Sequence, residues 1–192
     1  MNDRTSVKIT EEKVWMKYYS KDIDKDAMPH CTIYSYLKEC NADRMSATAI
    51  HYYGRNISFT EFIEKIDLCA DAFASAGVKR GEMVSFLSVA TPETIIALYA
   101  LNKIGATVNT IDPRMDIAII KRMTIESGSR ILLSIDIAFP KVMAIIDDIK
   151  QEKIIAVSAF ASLPPLKKFI ANLSAKTKIP YCRITYQRRS NC

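Results

Sequence analysis

Apolar and polar positions along the chain follow helical spacing in some segments and strand-like runs in others. The clearest helix is predicted to begin at Ser58, because a serine followed three residues later by glutamate is a capping-box pattern. Apolar side chains recur behind it at helical spacing, and Gly77 supplies the stop. A second helix is predicted to begin at Thr91, an N-cap followed by Pro92, and to end at Gly105. It is apolar nearly all round, so we expect it to be buried on more than one side.

Short apolar runs between the helical segments indicate strands. We predict strands over residues 47–53, 83–89, 106–110, 131–135 and 153–157, a turn over 54–56, and further helices over 117–126, 142–149 and 166–173. A strand is followed by a helix at least four times, which is typical of right-handed crossover connections. The sequence therefore predicts an α/β fold, doubly wound, with a mostly parallel sheet and helices on both faces.

Three regions follow from this pattern. Residues 1–45 are predicted to be a helical N-terminal extension, with helices near 14–16 and 33–37 separated by a charged stretch over 21–26. Residues 46–180 form the predicted α/β subdomain, and residues 181–192 a basic tail.

The composition supports a single packed domain that remains inside the cell. The chain has 192 residues, of which 49% are apolar, enough for a hydrophobic core. Its first residues are polar, and no apolar run has the length of a membrane span, so we expect a cytoplasmic protein without a membrane span. Five cysteines without Cys-x-x-Cys spacing argue against a disulfide scaffold and a zinc ribbon.

The net charge of +6 is unevenly placed. Three arginines and no acidic residue follow Pro180, and they account for half of the excess. The other basic residues are interleaved with acidic ones, which is typical of solvated helix faces. We therefore expect no nucleic-acid partner.

Few residues have the grouping that an active site needs. His30 and Cys31 are adjacent, and neighbours on a chain rarely face each other, so a plain loop is favoured over a nucleophile–base pair. Asp147 and Asp148 are interpreted as the polar face of a helix rather than a carboxylate dyad. Three alternating aspartates lack the glycine and the closing acidic residue of a calcium loop; they are Asp22, Asp24 and Asp26.

The glycines exclude the usual phosphate-binding loops. The five are Gly54, Gly77, Gly81, Gly105 and Gly128, and none belongs to a Gly-x-Gly-x-x-Gly or Walker pattern. Gly77 and Gly81 lie on a helix-to-strand connection, at the end of a strand opposite to the one where ligands bind. The sequence predicts no catalytic, no cofactor-binding and no metal-binding residue.

Four segments resemble the N-terminal part of the AMP-forming acyl-CoA synthetases, the adenylate-forming ligase family, in the same order and spacing. They are residues 58–62 (SFTEF), 68–84, 91–101 and 103–113 (KIGATVNTIDP). Residues 15–19 and 32–37 resemble segments that open many fatty-acyl-CoA ligases. The resemblance covers roughly residues 10–160 and is absent from the tail.

The resemblance implies a two-step reaction in the full-length family member. A carboxylate and ATP give acyl-adenylate and pyrophosphate, and coenzyme A then forms the thioester. The family's phosphate loop, magnesium-associated residues, ribose-binding Asp and catalytic Lys all follow the region matched here, so no catalytic residue is carried over and this chain itself holds no ATP, Mg or coenzyme A site. We expect an inactive N-terminal fragment, truncated before the phosphate loop, whose natural partner is the missing C-terminal portion.

Two other interpretations remain open. The chain could be a non-catalytic α/β binding or interaction module that retains only the scaffold and hides its apolar face by self-association. An unrelated flavodoxin-like fold is disfavoured because the loops lack glycines.

Overall fold

A computed structural model of the protein describes residues 17–19, 29–165 and 183–187, the last of these by their backbone. The chain divides into two compact units, Met1–His30 and Cys31–Cys192. Every helix and strand below belongs to the second unit. The helices predicted near residues 14–16 and over 166–173, and the charged stretch over 21–26, lie outside the described residues.

The second unit contains five α-helices and seven strands in the described part of the chain. In chain order they are α1 (Ile33–Cys40), β1 (Thr48–Tyr52), β2 (Arg55–Ser58), α2 (Phe59–Ser75), β3 (Met83–Leu87), α3 (Pro92–Ile104), β4 (Thr107–Ile111), α4 (Ile117–Glu126), β5 (Ile131–Ile135), α5 (Phe139–Ala144), β6 (Lys153–Val157) and β7 (Arg183–Gln187). The predicted strands and the helices α2, α3 and α4 are confirmed to within two residues at each end.

The main sheet has the strand order β4-β3-β5-β6-β7. Its first four strands are parallel, and β7 pairs antiparallel with β6, so part of the predicted basic tail is an edge strand. The α/β class with a mostly parallel sheet is confirmed.

Helices cover both faces of this sheet, as predicted. Alternate residues of each strand point to opposite faces. Val84, Phe86 and Leu133 belong to a core formed with α2 and α3. Leu132 and Ile154 belong to a second core, which is formed with α4 and α5.

The segment before α2 is a hairpin rather than a strand followed by a turn. Arg55 and Asn56, predicted in the turn, are the first residues of β2 and pair antiparallel with β1. The turn itself is Tyr53-Gly54, and both residues have positive φ (51° and 92°), as a two-residue type I′ turn requires. The prediction missed β2 because four residues give too short an alternation.

The helix predicted over 142–149 is shorter than expected. Helix α5 ends at Ala144, and hydrogen-bonded turns follow it. The predicted apolar stripe is still buried, since Val142, Ile145 and Ile149 are each at most 2% exposed. Consecutive turns therefore bury the same side chains that a longer helix would bury.

Within the described ranges, the helices are all too short or too polar to cross a bilayer.

Candidate functional site

The carboxyl edge of the parallel strands is the place where this fold class binds ligands. The direction in which the chain adds strands reverses between β3 and β5. After β3, the chain adds β4 on one side of it and then crosses over to add β5 on the other side. In open α/β sheets the crevice at such a reversal is the usual binding site. The side chains that follow β3 and β5 therefore decide what this edge can do.

Hydroxyl groups after β3 cap helix α3. The Thr91 side chain accepts a hydrogen bond from the Thr94 N–H at 3.3 Å, as an N-cap does. The Thr94 hydroxyl in turn lies 2.6 Å from that of Ser88 and 3.1 Å from that of Thr91. These hydroxyls are already engaged with one another, so the capping prediction at Thr91 is confirmed and the group has a structural role.

Glu93 occupies the first turn of α3. One carboxylate oxygen accepts a hydrogen bond from the Ser162 hydroxyl. The other, Oε2, is buried and has no hydrogen-bond partner. A helix N-terminus attracts anions through its free N–H groups and dipole. Here a carboxylate already lies in the first turn and would repel a phosphate.

Two further carboxylates at this edge are held by their own neighbours. Asp136, 3% exposed, accepts hydrogen bonds from the N–H groups of Ile137 at 2.8 Å and Ala159 at 3.1 Å, joining the ends of β5 and β6. Asp112, after β4, accepts from the Arg114 guanidinium, which with the Arg114 N–H lowers the pKa of Asp112 to about 2. The acidic residues at this edge are therefore engaged in local structure, and Asp112 has Arg114 as its cationic partner.

The glycines stand at turns and element ends. All five have positive φ. Gly105 illustrates the reason: it ends α3 in the left-handed conformation, with φ +83°. Gly77 and Gly81 precede β3 at the amino edge of the sheet, as predicted.

The described histidine and aspartate candidates are exposed or have local partners. His30 and Cys31 are both exposed and lie outside regular structure, and His51 lies on β1, where its Nδ1 is 2.6 Å from Asn56 Oδ1. Asp147 and Asp148 are exposed, as expected of polar surface residues, but they lie in the turns after α5 rather than on a helix; Asp148 pairs with Lys121 at 2.9 Å. The aspartates at 22, 24 and 26 lie outside the described residues. Across the described ranges, no three His, Cys, Asp or Glu residues are grouped as metal ligands.

The sequence did not reveal a charged cluster at the amino edge. The Arg130 guanidinium contacts Glu82 at 2.8 Å and Glu152 at 2.7 Å, and donates to the Gly77 carbonyl at 3.2 Å. The Lys79 N–H and Arg130 together lower the pKa of Glu82. These residues are far apart in sequence, so only the pairing of β5 with β3 and β6 brings them together.

An apolar groove lies on the sheet face next to α2, and we call it the α2 groove. Its volume is about 660 Å³. Its walls come from α2 and α3 and its floor from β5 and β6; the lining residues are Lys65, Leu68, Cys69, Ala72, Phe73, Ala76, Glu93, Ile96, Ala97, Leu133, Ile155, Val157 and Ala161. Glu93 and Lys65 are its charged lining residues. The sequence did not predict the groove, because it forms between elements distant along the chain.

A family model described as "AMP-binding enzyme" matches residues 37–181, most of the chain. This chain belongs to the AMP-binding enzyme family. The resemblance inferred from the four motifs is therefore confirmed. The family match also extends beyond residue 160, where the motif resemblance had faded.

Curated relatives of this AMP-binding family member include ligases of several kinds. A long-chain-fatty-acid–CoA ligase of Bacillus subtilis is 23% identical over 169 residues, which are 88% of this chain and 30% of the relative. Acetyl-coenzyme A synthetase 1 of Candida albicans is 29% identical over 43% of this chain and 12% of the relative. The chain thus spans less than a third of the length of these two relatives.

Solved structures share the fold at low identity. A long-chain-fatty-acid-CoA ligase of Archaeoglobus fulgidus superposes with a TM-score of 0.61 at 16% identity, over 67% of this chain and 28% of that one. Coronafacic acid ligase of Pectobacterium brasiliense gives a TM-score of 0.60 at 24% identity, over 64% of this chain and 25% of that one. These likenesses support the fold of the family member.

Proposed function

We propose that this chain forms the N-terminal scaffold of an ATP-dependent acyl-CoA synthetase of the fatty-acid-activating type and does not catalyse adenylation by itself. The observation that supports this proposal most strongly is the family match over residues 37–181. At the carboxyl edge of the parallel strands, the polar side chains described above are engaged in structural contacts. The Bacillus subtilis relative, a long-chain-fatty-acid–CoA ligase, supports the fatty-acyl assignment. The proposal includes a role in fatty acid metabolism and a cytoplasmic location.

The described residues do not fit the phosphates of ATP. The first turn of α3 carries Glu93, and the buried Asp136 adds a second carboxylate at the same sheet edge, while Asp112 is paired with Arg114. Glycines that would let backbone N–H groups approach a phosphate are engaged elsewhere, in turns and helix ends. ATP, Mg and coenzyme A belong to the proposed reaction of the full-length ligase, and we derive no catalytic step through them on this chain.

The assay of choice is carboxylate-dependent exchange of radioactive pyrophosphate into ATP. The purified 192-residue chain is tested with acetate and with palmitate, and the Bacillus subtilis ligase is the positive control. We expect the chain to stay at the background of a mock purification. Exchange that rises with added carboxylate would refute the proposed inactivity.

The alternative of a non-catalytic interaction module is favoured by one observation, the apolar lining of the α2 groove by the described residues. In that case the groove would bind another protein or a second copy of this chain. Sedimentation over a hundredfold concentration range separates the two interpretations. A concentration-dependent dimer favours the interaction module, whereas a chain that is monomeric throughout and captures no partner supports the scaffold.

A further inference from the structure

A group of buried polar side chains lies on the sheet face of the second core. Ser85 on β3 is 0% exposed and lies opposite Leu132 of that core. Its hydroxyl accepts hydrogen bonds from Ser129 Oγ at 2.8 Å and from the Asn109 side-chain amide at 3.2 Å, and it donates to Ser127 Oγ at 3.0 Å. Ser85 therefore joins β4, β3 and the turn that leads into β5.

The direction of these hydrogen bonds follows from a carbonyl at one end, because a carbonyl only accepts. The Ser127 hydroxyl donates to the Thr124 carbonyl at 2.7 Å, so it accepts from Ser85, which in turn accepts from Ser129. Just before β6, the Gln151 amide donates to the carbonyls of Thr124 at 3.3 Å and Ser129 at 3.1 Å. We call these six residues the Ser85 network; they are Ser85, Asn109, Thr124, Ser127, Ser129 and Gln151.

The Ser85 network contributes more to structural specificity than to stability. A neutral hydrogen bond gains little on folding, because the same groups bond to water in the unfolded chain. A member separated from its partners is different, since a buried polar group without a hydrogen bond shifts an equilibrium by about ten- to a hundredfold. Buried polar groups can in this way determine the register in which two elements pair. The network therefore penalises any arrangement that separates its members.

Apolar packing alone specifies the register between β3 and β4 poorly. Side chains alternate between the faces of a sheet, so a slip of two residues returns each β4 side chain to its own face. In the observed register, Asn109 lies opposite Ser85 and Ile111 opposite Leu87. A slip in one direction puts Asn109 beside the buried Leu87, and a slip in the other puts Ile111 beside Ser85. Both slips break the hydrogen bond between Ser85 and Asn109.

Strand β4 depends on this hydrogen bond more than the inner strands do. It stands at the end of the strand order, and β3 is its one partner among the described strands. The Gly81 N–H donates to the Gly105 carbonyl at 2.9 Å and holds the amino end of β4. Within the strand itself, the main-chain hydrogen bonds form equally well after a slip of two residues. The side-chain pair is thus what distinguishes the registers at the centre of β4.

We propose that the Ser85 network sets the register of β4 on β3, by selecting the observed pairing against slips of two residues. Asn109 carries the selection on β4, and the hydroxyls of Ser127 and Ser129 orient Ser85 toward it. The inference concerns the fold of this chain and does not depend on the proposed ligase scaffold role.

The test compares two valine substitutions on β4 in the full 192-residue chain. Asn109→Val removes the amide of the network, whereas Thr110→Val changes an exposed polar residue outside it. We expect N109V to show a second set of NMR amide signals for β3 and β4, about tenfold or more above its population in the unmodified chain, and T110V to show one set. Nuclear Overhauser contacts of residue 109 with residue 83 or 87 identify the slipped register. The urea midpoint of N109V should stay near that of the unmodified chain.

Ser85→Ala keeps the proposal testable if N109V fails to fold, since it deletes a single oxygen atom. It removes the acceptor of Asn109 and Ser129, so we expect the same second set of signals. The proposal is overturned if neither variant shows slipped contacts, or if N109V loses stability and keeps one register. It is also overturned if T110V slips as N109V does, because the register would then depend on the strand as a whole rather than on the network.

Discussion

One tyrosine joins helix α1 to the rest of the second unit. The Tyr34 hydroxyl donates to Asp67 on α2 at 2.5 Å, and its backbone N–H donates to the Asn102 side chain on α3 at 2.9 Å. Lys103 completes the contact by pairing with Asp67 at 2.7 Å. Helix α1 is only eight residues long and would be unstable alone. These side-chain contacts therefore hold it in place.

The Tyr34 contact gives stability a dependence on alkaline pH. Burial, and then the hydrogen bond to Asp67, raise the pKa of Tyr34 to about 12 from an ordinary 10.0. The folded state therefore retains the Tyr34 proton between pH 10 and 12. The contribution of this hydroxyl to the free energy of unfolding is complete below pH 10 and is lost as pH rises toward 12. We expect Tyr34→Phe to lower the free energy of unfolding at pH 8 by about 1 kcal/mol. The fall in stability between pH 10 and 12 should also become smaller.

Urea unfolding at several pH values measures both effects. Tyr19→Phe is the control, because the Tyr19 side chain is 51% exposed. An equal loss in both variants at pH 8 would contradict the assigned role of the Tyr34 hydroxyl.

Gly105 and Gly128 allow backbone strain to be compared with steric crowding, because both have positive φ and only Gly105 has a close neighbouring side chain. Gly105 and Gly128 both have positive φ, so alanine at either is strained. A Cβ at Gly105 would lie 3.0 Å from Arg80 Cγ, whereas one at Gly128 meets nothing within 4 Å.

We expect Gly128→Ala to destabilise the fold by about 1 kcal/mol through strain alone, and Gly105→Ala by somewhat more. Thermal unfolding of the two variants side by side checks the order. If Gly128→Ala proved the more destabilising, crowding by Arg80 would be irrelevant.

Helix starts are the elements that the sequence predicted best. Ser58 accepts a hydrogen bond from the Glu61 N–H at 3.2 Å, as the capping pattern requires. The Glu61 carboxylate pairs with Arg55 at 2.6 Å and with Lys65 at 2.8 Å. Caps involve residues three apart in sequence, so local pattern is sufficient to find them. The ion pair with Arg55 depends on the hairpin, which the sequence did not show.

Ser58→Ala should therefore weaken the fold by about 1 kcal/mol. The matched control is Asp116→Ala at the start of α4, where the side chain makes no capping hydrogen bond. Chemical denaturation is expected to show a change of a few tenths of a kcal/mol for D116A. Equal losses of stability in S58A and D116A would mean that the capping hydrogen bond of Ser58 contributes nothing to the free energy of unfolding.

The features that escaped prediction are those that depend on distant pairing. Strand and helix positions follow from local apolar spacing, which is why β5 and β6 were predicted with their observed ends. The Arg130 cluster and the α2 groove require β5 to lie between β3 and β6, and one sequence does not specify that order. Similarly, the sequence shows Glu93 only as an acidic residue in the first turn of a helix, because its hydrogen bond with Ser162 forms between residues distant along the chain.

For the whole molecule, the contacts of Glu82 with the Lys79 N–H and with Arg130 predict a response to acid. The lowered pKa of Glu82 means that the folded state favours the carboxylate, so its stabilisation is present above its ordinary pKa of 4.5 and is lost as pH falls below that value. We expect Glu82→Gln to reduce the slope of stability against pH between about 5 and 3. Glu64→Gln, at an exposed site on α2, is the control for removing one carboxylate, and equal changes in both variants would contradict the assigned role of Glu82.

The position of β3 between β4 and β5 also bears on the order of events during synthesis. Its first partner, β4, follows closely, with Val84 opposite Val108, while its second partner arrives later, with Val84 opposite Ile131. Short loops close more readily than long ones. A ribosome-bound chain can therefore assemble β3, α3 and β4 as a first nucleus, to which β5 and then β6 add as they emerge. The growing edge of the sheet is thus the side that is translated last.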